Sequence, residues 1–584
     1  MALRIRRIPI AALLCAPACA IGAAMAQPAL PPSGIGGTAT AALRVLSPED
    51  VRRYRAIFEE EQSGHFAEAR TNVAALGDDC LMGYVLAEHY LSPHSGHAAF
   101  KDLNDWLDDY GDLSIAPRIY KLAHRRARRR LSDLIDIPGF VHRGGGYEDV
   151  DLADPPPSSE LARGVLPDID KDVQNDDPAD AEAVLNGLIA DGSVPAADLA
   201  RIAQRVAASY LAEGMDQQAY DLAVKWSGTS SAPMLYWRGG LAAYRLGKFA
   251  DAAGDFEQLA RVGSVPDWTR AAAAFWAARA HISAGDPLPA INLMQAAARE
   301  QPTFYGMLAE RVLGADTETG FNDPVLNADA FLALMQNPAA HRAVALWQVG
   351  RADDVPNEMN RALASIDLKY GAVYAALARR MNLPNLELRA SETAASRGQM
   401  LTGLFPVPAY APDGGYRVDP SLVLAFARVE SRFIADATSP AGAEGLMQIR
   451  PGTARDLVHG DPGDLTDPSN NLALGQRYLE QLLNQLKGNL IEVAAAYNAG
   501  PGSLTRWMGR QNLMADPLLF VESMPSPETR MYVKRLMMYH WLYARRMGRD
   551  APSLDQAAEG EWPLYKPHDT SIPTPVADNA ATQD

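Results

Sequence analysis

Glu430 closes an apolar run, Leu422-Val423-Leu424-Ala425-Phe426-Ala427-Arg428-Val429-Glu430. On a helix, the positions three and four residues either side of it are Phe426, Ala427, Phe433 and Ile434, all apolar. A carboxyl group on such a face loses hydration, and desolvation favours its neutral form. A carboxylic acid that keeps its proton near neutral pH is suited to general acid catalysis. Three polar clusters follow within about a hundred residues: Gly445-Leu446-Met447-Gln448, Ala496-Tyr497-Asn498-Ala499-Gly500 and Glu528-Thr529-Arg530. Carboxylates near Glu430 in the sequence are Asp419, Asp436 and Glu444, none of them within one of these clusters. No cofactor and no metal are expected, because the chain lacks a cysteine cluster, a His-Glu-x-x-His motif and a phosphate-binding glycine loop.

The elements that must position these residues are helical. The chain has 584 residues, 48% of them hydrophobic, enough for several domains. A glycine followed five residues later by an alanine recurs as Gly64/Ala69, Gly214/Ala219, Gly247/Ala252 and Gly285/Ala290. Glycine suits the tight turn between antiparallel helices, and alanine lets the second helix approach closely. Periods near 34 residues mark helical hairpins of the tetratricopeptide kind. The expected fold class is therefore all-α: a long helical-hairpin solenoid followed by a compact, mostly helical domain at 415–550. The solenoid is expected as two segments, 47–131 and 181–398. Its first helix is signalled by Ser47-Pro48-Glu49-Asp50, an N-cap with proline at the first helical position. An acidic, Gly/Pro-rich linker at 132–180 separates the segments, and a second linker occupies 399–414. Residues 27–46 are expected to be flexible and 551–584 a mostly disordered tail. The aromatics of Phe275-Trp276 are expected to pack between helices.

Residues 1–26 have the form of a secretory leader. Arg4, Arg6 and Arg7 precede an apolar stretch that ends in Ala24-Met25-Ala26. Cleavage is expected after Ala26, giving an exported, periplasmic chain without stable membrane insertion. A lipoprotein site at Cys19 is disfavoured, because Ala16-Pro17-Ala18 lacks the usual leucine. The formal charge of -17 argues against nucleic acid as a partner. The run His124 to Arg130 fits a helix end, where cations meet the negative end of the dipole. Cys80, the one cysteine after the leader, is expected to be a buried apolar residue.

Taken in order, these clusters resemble the catalytic core of soluble lytic murein transglycosylases, of glycoside hydrolase family 23, with a goose-type-lysozyme-like fold. The resemblance is carried by Glu430-Ser431, Ser439 to Gln448, Pro451-Gly452-Thr453-Ala454, Asn470 to Gly475, Ala496 to Gly500 and Glu528 to Val533. It extends loosely into the solenoid through Phe275 to Ala280 and Thr303-Phe304-Tyr305-Gly306. It implies cleavage of the β-1,4 bond between N-acetylmuramic acid and N-acetylglucosamine in peptidoglycan, leaving a 1,6-anhydro end. Glu430 would be the acid and then the base. Ser431 would orient the site or simply end its helix. Ser439 would contact substrate near the acetamido group, Gln448 would line the cleft, and Gly445 would let backbone approach the sugar. Tyr497 would hydrogen-bond near the acid, brace the centre or be a core aromatic. Asn498 would bind an acetamido group or end a helix. Glu528 would support the substrate site or pair with Arg530.

The chain departs from the family at Arg450, where many relatives carry methionine, and in the lead-in Met524-Pro525-Ser526-Pro527. Arg450 is expected to meet a lactyl or peptide carboxylate of the substrate. The implied partners are peptidoglycan strands and, through the solenoid, wall-remodelling proteins. Two other readings stay open: a hydrolytic lysozyme of the same substrate, and a helical-repeat scaffold that binds glycan without cleaving it.

Overall fold

The structure, a computed structural model, describes residues 43–127, 134–135, 157–174, 177–228, 231–315, 321–509 and 515–567. The described residues form 27 α-helices, with four isolated β-bridges in place of strands. The chain divides into two compact units, one combining the stretches Val150–Glu318 and Tyr410–Asp584, the other Ala23–Asp149 and Thr319–Ala409.

In the first unit, successive helices Ala196–Ala212, Asp216–Trp226, Met234–Arg245, Phe249–Ala260, Asp267–Ala284 and Ala290–Arg299 form an antiparallel array. The glycine–alanine pattern explains their turns. Gly214, Gly247 and Gly285 all have φ between 76° and 82°, a region open to glycine at no steric cost. Ala219, Ala252 and Ala290 are buried at the start of each following helix. Phe275 and Trp276 are fully buried, and Trp276 meets Phe256 and Tyr305 at ring distances of 6.1 and 6.4 Å. They pack between helices, as expected.

The remainder of this unit is the C-terminal domain, centred on Pro420–Ser431 packed against Pro527–Arg546. It joins the array through buried contacts. The Phe304 and Trp541 rings stack at 5.3 Å, and Tyr305 donates to Glu522 at 2.7 Å.

The second unit draws its core from both of its stretches, for example Tyr54, Trp106, Leu346 and Tyr374. Its central polar link is Glu358, fully buried, which accepts from Tyr84 at 2.8 Å and pairs with Arg342 at 2.9 Å.

Several expected boundaries move. The segment 181–398 is not one body: it divides near residue 319, and its later helices share a core with helices from 48–127. Pattern shows where helices lie but not which distant helix shares their core. Leu43 and Leu46 are buried, and the Val45 and Leu46 N–H groups donate to Gln348, so 43–46 are held; 27–42 lie outside the described residues.

Within the expected linker 132–180, Glu160–Gln174 is a helix whose entry is fixed by Ser158 and Ser159 bonding buried Asp198. The connection 399–414 packs Leu401, Leu404 and Phe405 into the interior. The expected tail begins with helix Pro552–Ala558, whose Leu554, Ala557 and Ala558 are buried; 568–584 lie outside the described residues. Cys80 is half-buried instead of fully buried, and burial pushes its thiol pKa up. Residues 1–26 and Arg128 to Arg130 lie outside the described residues. No described helix is long and apolar enough to cross a membrane.

Candidate active site

Asp419 caps the helix that carries Glu430, accepting from the Ser421 N–H at 3.0 Å, and Pro420 opens the first turn. The helix ends at Ser431, because Arg432 and Phe433 both turn left-handed, with φ of 53° and 62°. Phe433 and Ile434 therefore leave the helical face on which the spacing placed them, and Ile434 is exposed. Phe433 itself is buried, and Tyr532, the hydrogen-bond partner of Glu430, has its ring 6.5 Å from that of Phe426.

Glu430 is half-buried in the last helical turn. Tyr532, 102 residues further on, donates its hydroxyl to Glu430 Oε1 at 2.5 Å. Burial raises the Glu430 pKa from 4.5 to about 7; the Tyr532 bond opposes this and the charge of Glu528 adds to it. The Tyr532 hydroxyl is pushed well above its ordinary pKa, first by burial and then by Glu430, so it stays a protonated donor. Asp419 is turned away, buried against Ser421 and Arg549. Glu528, exposed in the first turn of its helix, is the carboxylate that Glu430 senses.

Tyr497 is in the same cluster, with ring distances of 4.6 Å to Phe426 and 5.2 Å to Tyr478. Its hydroxyl donates to the Met447 carbonyl at 2.7 Å, so it braces the neighbouring loop and gives its proton to that loop, not to the acid.

That loop is built on residues 437–449. Glu444 and Ile449 exchange backbone hydrogen bonds at 3.0 Å, and Thr438 forms a further isolated bridge with Glu444. Gln448, at φ 49°, donates its side-chain amide to the Ala437 and Gly445 carbonyls at 3.1 and 2.9 Å. Asn471 holds the loop from below: it accepts from the Met447 N–H at 2.8 Å and donates to the carbonyls of Glu444 and Leu465. Gly445, at φ 78°, is buried, and a Cβ there would meet Asn471 and the Leu465 carbonyl at 2.2 Å. Its glycine is required by this packing as well as by its left-handed φ.

The remaining expected site residues divide. Ser431 is buried and donates to the Ala427 carbonyl at 3.1 Å, which makes it a helix-end serine. Ser439 is half-buried, and its hydroxyl accepts from the Ala443 N–H at 3.0 Å within its own turn. Asn498 ends its helix region and bridges to the last motif, accepting from Thr529 at 2.7 Å and donating weakly to Glu528 at 3.4 Å. Arg530 donates to the Met524 carbonyl and makes no described ion pair with Glu528. Arg450 is exposed before the helix Pro451–Val458; burial raises the pKa of the Tyr478 hydroxyl, and the charge of Arg450 partly opposes that rise.

The sequence reading missed Tyr532, Asn471 and Tyr478. A signal existed for Tyr532, which lies one helical turn after Glu528 in the motif already singled out. Among the described residues no group of three His, Cys, Asp or Glu side chains is arranged to hold a metal.

Comparisons with known proteins bear on the family of this region and on the fold. Residues 410–518 match the family model described as the Transglycosylase SLT domain. That stretch contains Glu430 and Tyr497 and stops before Tyr532. Over 272 residues the chain is 34% identical to a soluble lytic murein transglycosylase of Escherichia coli strain K12, covering 44% of this chain and 41% of that protein. Over 300 residues it is 30% identical to the corresponding protein of Salmonella typhimurium, covering 49% and 45%. The matches thus span less than half the length of these curated relatives.

Among solved structures, the 70-kDa soluble lytic transglycosylase of Escherichia coli superimposes with a TM-score of 0.54 at 19% identity, covering 88% of this chain and 99% of that one. A complex of the 70-kDa enzyme with bulgecin A gives 0.57 at 21% identity, with the same coverage. A Pseudomonas aeruginosa lytic transglycosylase, solved as an inactive mutant, gives 0.54 at 21% over 87% and 90%. The all-α fold is thus shared across most of the chain, and residues 410–518 of the C-terminal domain resemble the transglycosylase SLT domain.

Proposed function

We propose that this chain, with its C-terminal transglycosylase SLT domain, is an exported peptidoglycan lytic transglycosylase in which Glu430 acts as acid and then as base. The observation that carries the mechanism is the half-buried carboxyl of Glu430 held by the Tyr532 hydroxyl at 2.5 Å, where burial pushes its pKa up to about 7. At neutral pH a large fraction of Glu430 is protonated. That proton passes to the bridging oxygen between N-acetylmuramic acid and N-acetylglucosamine as the C1–O bond breaks. The carboxylate left behind then takes the proton of the muramic C6 hydroxyl while that oxygen bonds to C1. The net change is bond cleavage and a 1,6-anhydro ring, with no water consumed and the acid restored.

The carboxyl hydrogen bond from Tyr532 orients Glu430 through both steps, and the acetamido group of the sugar is the stabiliser of the cationic centre that a one-carboxylate site requires. Gln448 and Ser439 border the cleft on the loop that Asn471 and Tyr497 brace. Arg450, exposed beside Tyr478, is offered to a lactyl or peptide carboxylate. Glu528 tunes the charge of the acid without reacting.

Mass spectrometry of digested sacculi tests this reading. Anhydro products, one water lighter than hydrolysed ones, are expected; reducing ends would make the chain a lysozyme. Glu430→Gln is expected to lose lysis by roughly a thousandfold, in the range of general-acid catalysis. Unimpaired lysis by that variant would remove Glu430 from the mechanism.

A further inference from the structure

The helix Pro468–Gln485 turns one face toward the loop 437–449. Asn471, Gly475 and Tyr478 follow one another on that face at helical spacing. Asn471 holds the loop by its Met447 N–H and its Glu444 carbonyl. Gly475 lies so close to the Met447 side chain that a Cβ there would meet Met447 Sδ at 2.2 Å. Tyr478, the next turn on, is half-buried, with its ring 5.2 Å from that of Tyr497. It stands where the chain leaves the loop through Arg450. The Arg450 carbonyl accepts from the Ala454 N–H at 2.9 Å, so its backbone is fixed while its side chain is exposed.

Two tyrosines of this cluster spend their hydroxyls within the protein, Tyr532 on Glu430 and Tyr497 on the Met447 carbonyl. The Tyr478 hydroxyl has no hydrogen-bond partner among the described residues, and the Arg450 guanidinium has neither a hydrogen bond nor an ion pair among them. Glu480, two residues after Tyr478, is engaged by Arg417 at 2.9 Å. Burial raises the Tyr478 pKa, with the charge of Arg450 partly opposing, so the hydroxyl keeps its proton at neutral pH. A phenol O–H beside a guanidinium offers donors and one positive charge, and the guanidinium has no acceptor to give. Such a pair suits a carboxylate and discriminates against an amide, which brings N–H groups and no charge. Tyr497 links Tyr478 to Phe426, its ring 4.6 Å from that of Phe426, one helical turn before Glu430. Donors anchored this near the acid meet a group fixed on the sugar ring sooner than the far end of a flexible peptide.

We propose that Tyr478 and Arg450 form a carboxylate subsite at the edge of the Glu430 cleft, selecting the free lactyl carboxylate of N-acetylmuramic acid. The substrate identity rests on the transglycosylase reading above. The lactyl carboxyl is an amide wherever a peptide stem is attached. It becomes a carboxylate when water hydrolyses that amide and the stem departs with a free amine. The preferred substrate is therefore a strand already stripped of its stems by an amide hydrolysis.

Kinetics of the full chain on three glycan preparations test this: stem-free strands, the same strands with the lactyl carboxylate converted to its primary amide, and stem-bearing strands. The stem-free acid is expected to show a KM about tenfold below the other two, in the range of a charge-assisted hydrogen bond. Arg450→Gln and Tyr478→Phe, with thermal melts confirming folding, are each expected to shrink that preference to about twofold or less, through KM and not kcat. A purely structural role would not move the acid-to-amide ratio. Equal KM for acid and amide in the unaltered chain would overturn the proposal. So would a preference for stem-bearing strands, or an acid preference that survives in both folded variants. Anhydro products formed without acid selectivity would reject the subsite and leave the enzymatic reading standing. If no strand yields anhydro ends, the enzymatic reading falls, and calorimetry with the stem-free acid and its amide decides the subsite by itself. Tighter binding of the acid, lost in Arg450→Gln, would then support it, and equal affinity would reject it.

Discussion

At the scale of single residues, the decisive property is the proton on Glu430. Its pKa is raised, so the protonated, competent form prevails below about pH 7 and is lost above it. Lytic activity is therefore expected to fall as pH rises through about 7. The same shift affects stability in the opposite sense to an ordinary paired carboxylate. Between the unfolded value of 4.5 and about 7 the folded state binds more protons, so stability falls as pH rises through that window. The Tyr532 hydrogen bond favours the charged form. Tyr532→Phe is accordingly expected to raise the Glu430 pKa and move the alkaline limb of the pH–rate profile upward. Its rate loss at the optimum should be modest, about tenfold, because the acid itself remains. A profile of lysis against pH for both proteins checks this, and an unmoved limb would separate Tyr532 from the titration.

At the scale of elements, the loop 437–449 and the acid helix depend on parts far away in sequence. Gly445 combines φ of 78° with a Cβ position 2.2 Å from Asn471 and a backbone oxygen. Backbone cannot yield as a flexible side chain would, so Gly445→Ala is expected to cost about 2–4 kcal/mol, read as a lowered midpoint of denaturant unfolding. The start of the acid helix is held from the opposite end of the domain. The Asp419 N–H donates to the Tyr565 hydroxyl at 2.9 Å, while its carboxylate takes Ser421 and Arg549. Tyr565→Phe leaves that buried residue's N–H without its partner, a loss of about 1–2 kcal/mol measurable in the same way. An unchanged midpoint would show that water replaces the hydroxyl.

At the scale of the whole molecule, the first unit joins the helical array to the C-terminal domain through few but buried links. Arg279 pairs with Asp516 at 2.5 Å and stacks over Trp276 at 4.6 Å. Both partners of that pair are largely buried, so removing one leaves an uncompensated charge. Arg279→Ala is expected to destabilise this unit by about 3 kcal/mol, seen as a lower melting temperature. An unaffected melt would mean that the other contacts across the join, such as Phe304–Trp541 and Tyr305–Glu522, suffice to hold it.

The sequence alone determined the helical class, the glycine turns, the alanine contacts that follow them and Glu430 as the candidate acid. These are local: a left-handed turn, a helical period and a cap are each written within a few residues. Motif order also made the C-terminal domain recognisable. Only the tertiary structure decided that Phe433 and Ile434 depart from the helix, that burial raises the proton affinity of Glu430 while Tyr532 and Glu528 modify it, and that a Cβ at Gly445 would meet Asn471. It also decided that helices before residue 128 share a core with helices after 321, and that Tyr565 anchors a segment expected to be tail. The physical reason is the same in each case. Desolvation, charge and close packing depend on which distant atoms arrive at one place, and no local pattern of residues records that arrival.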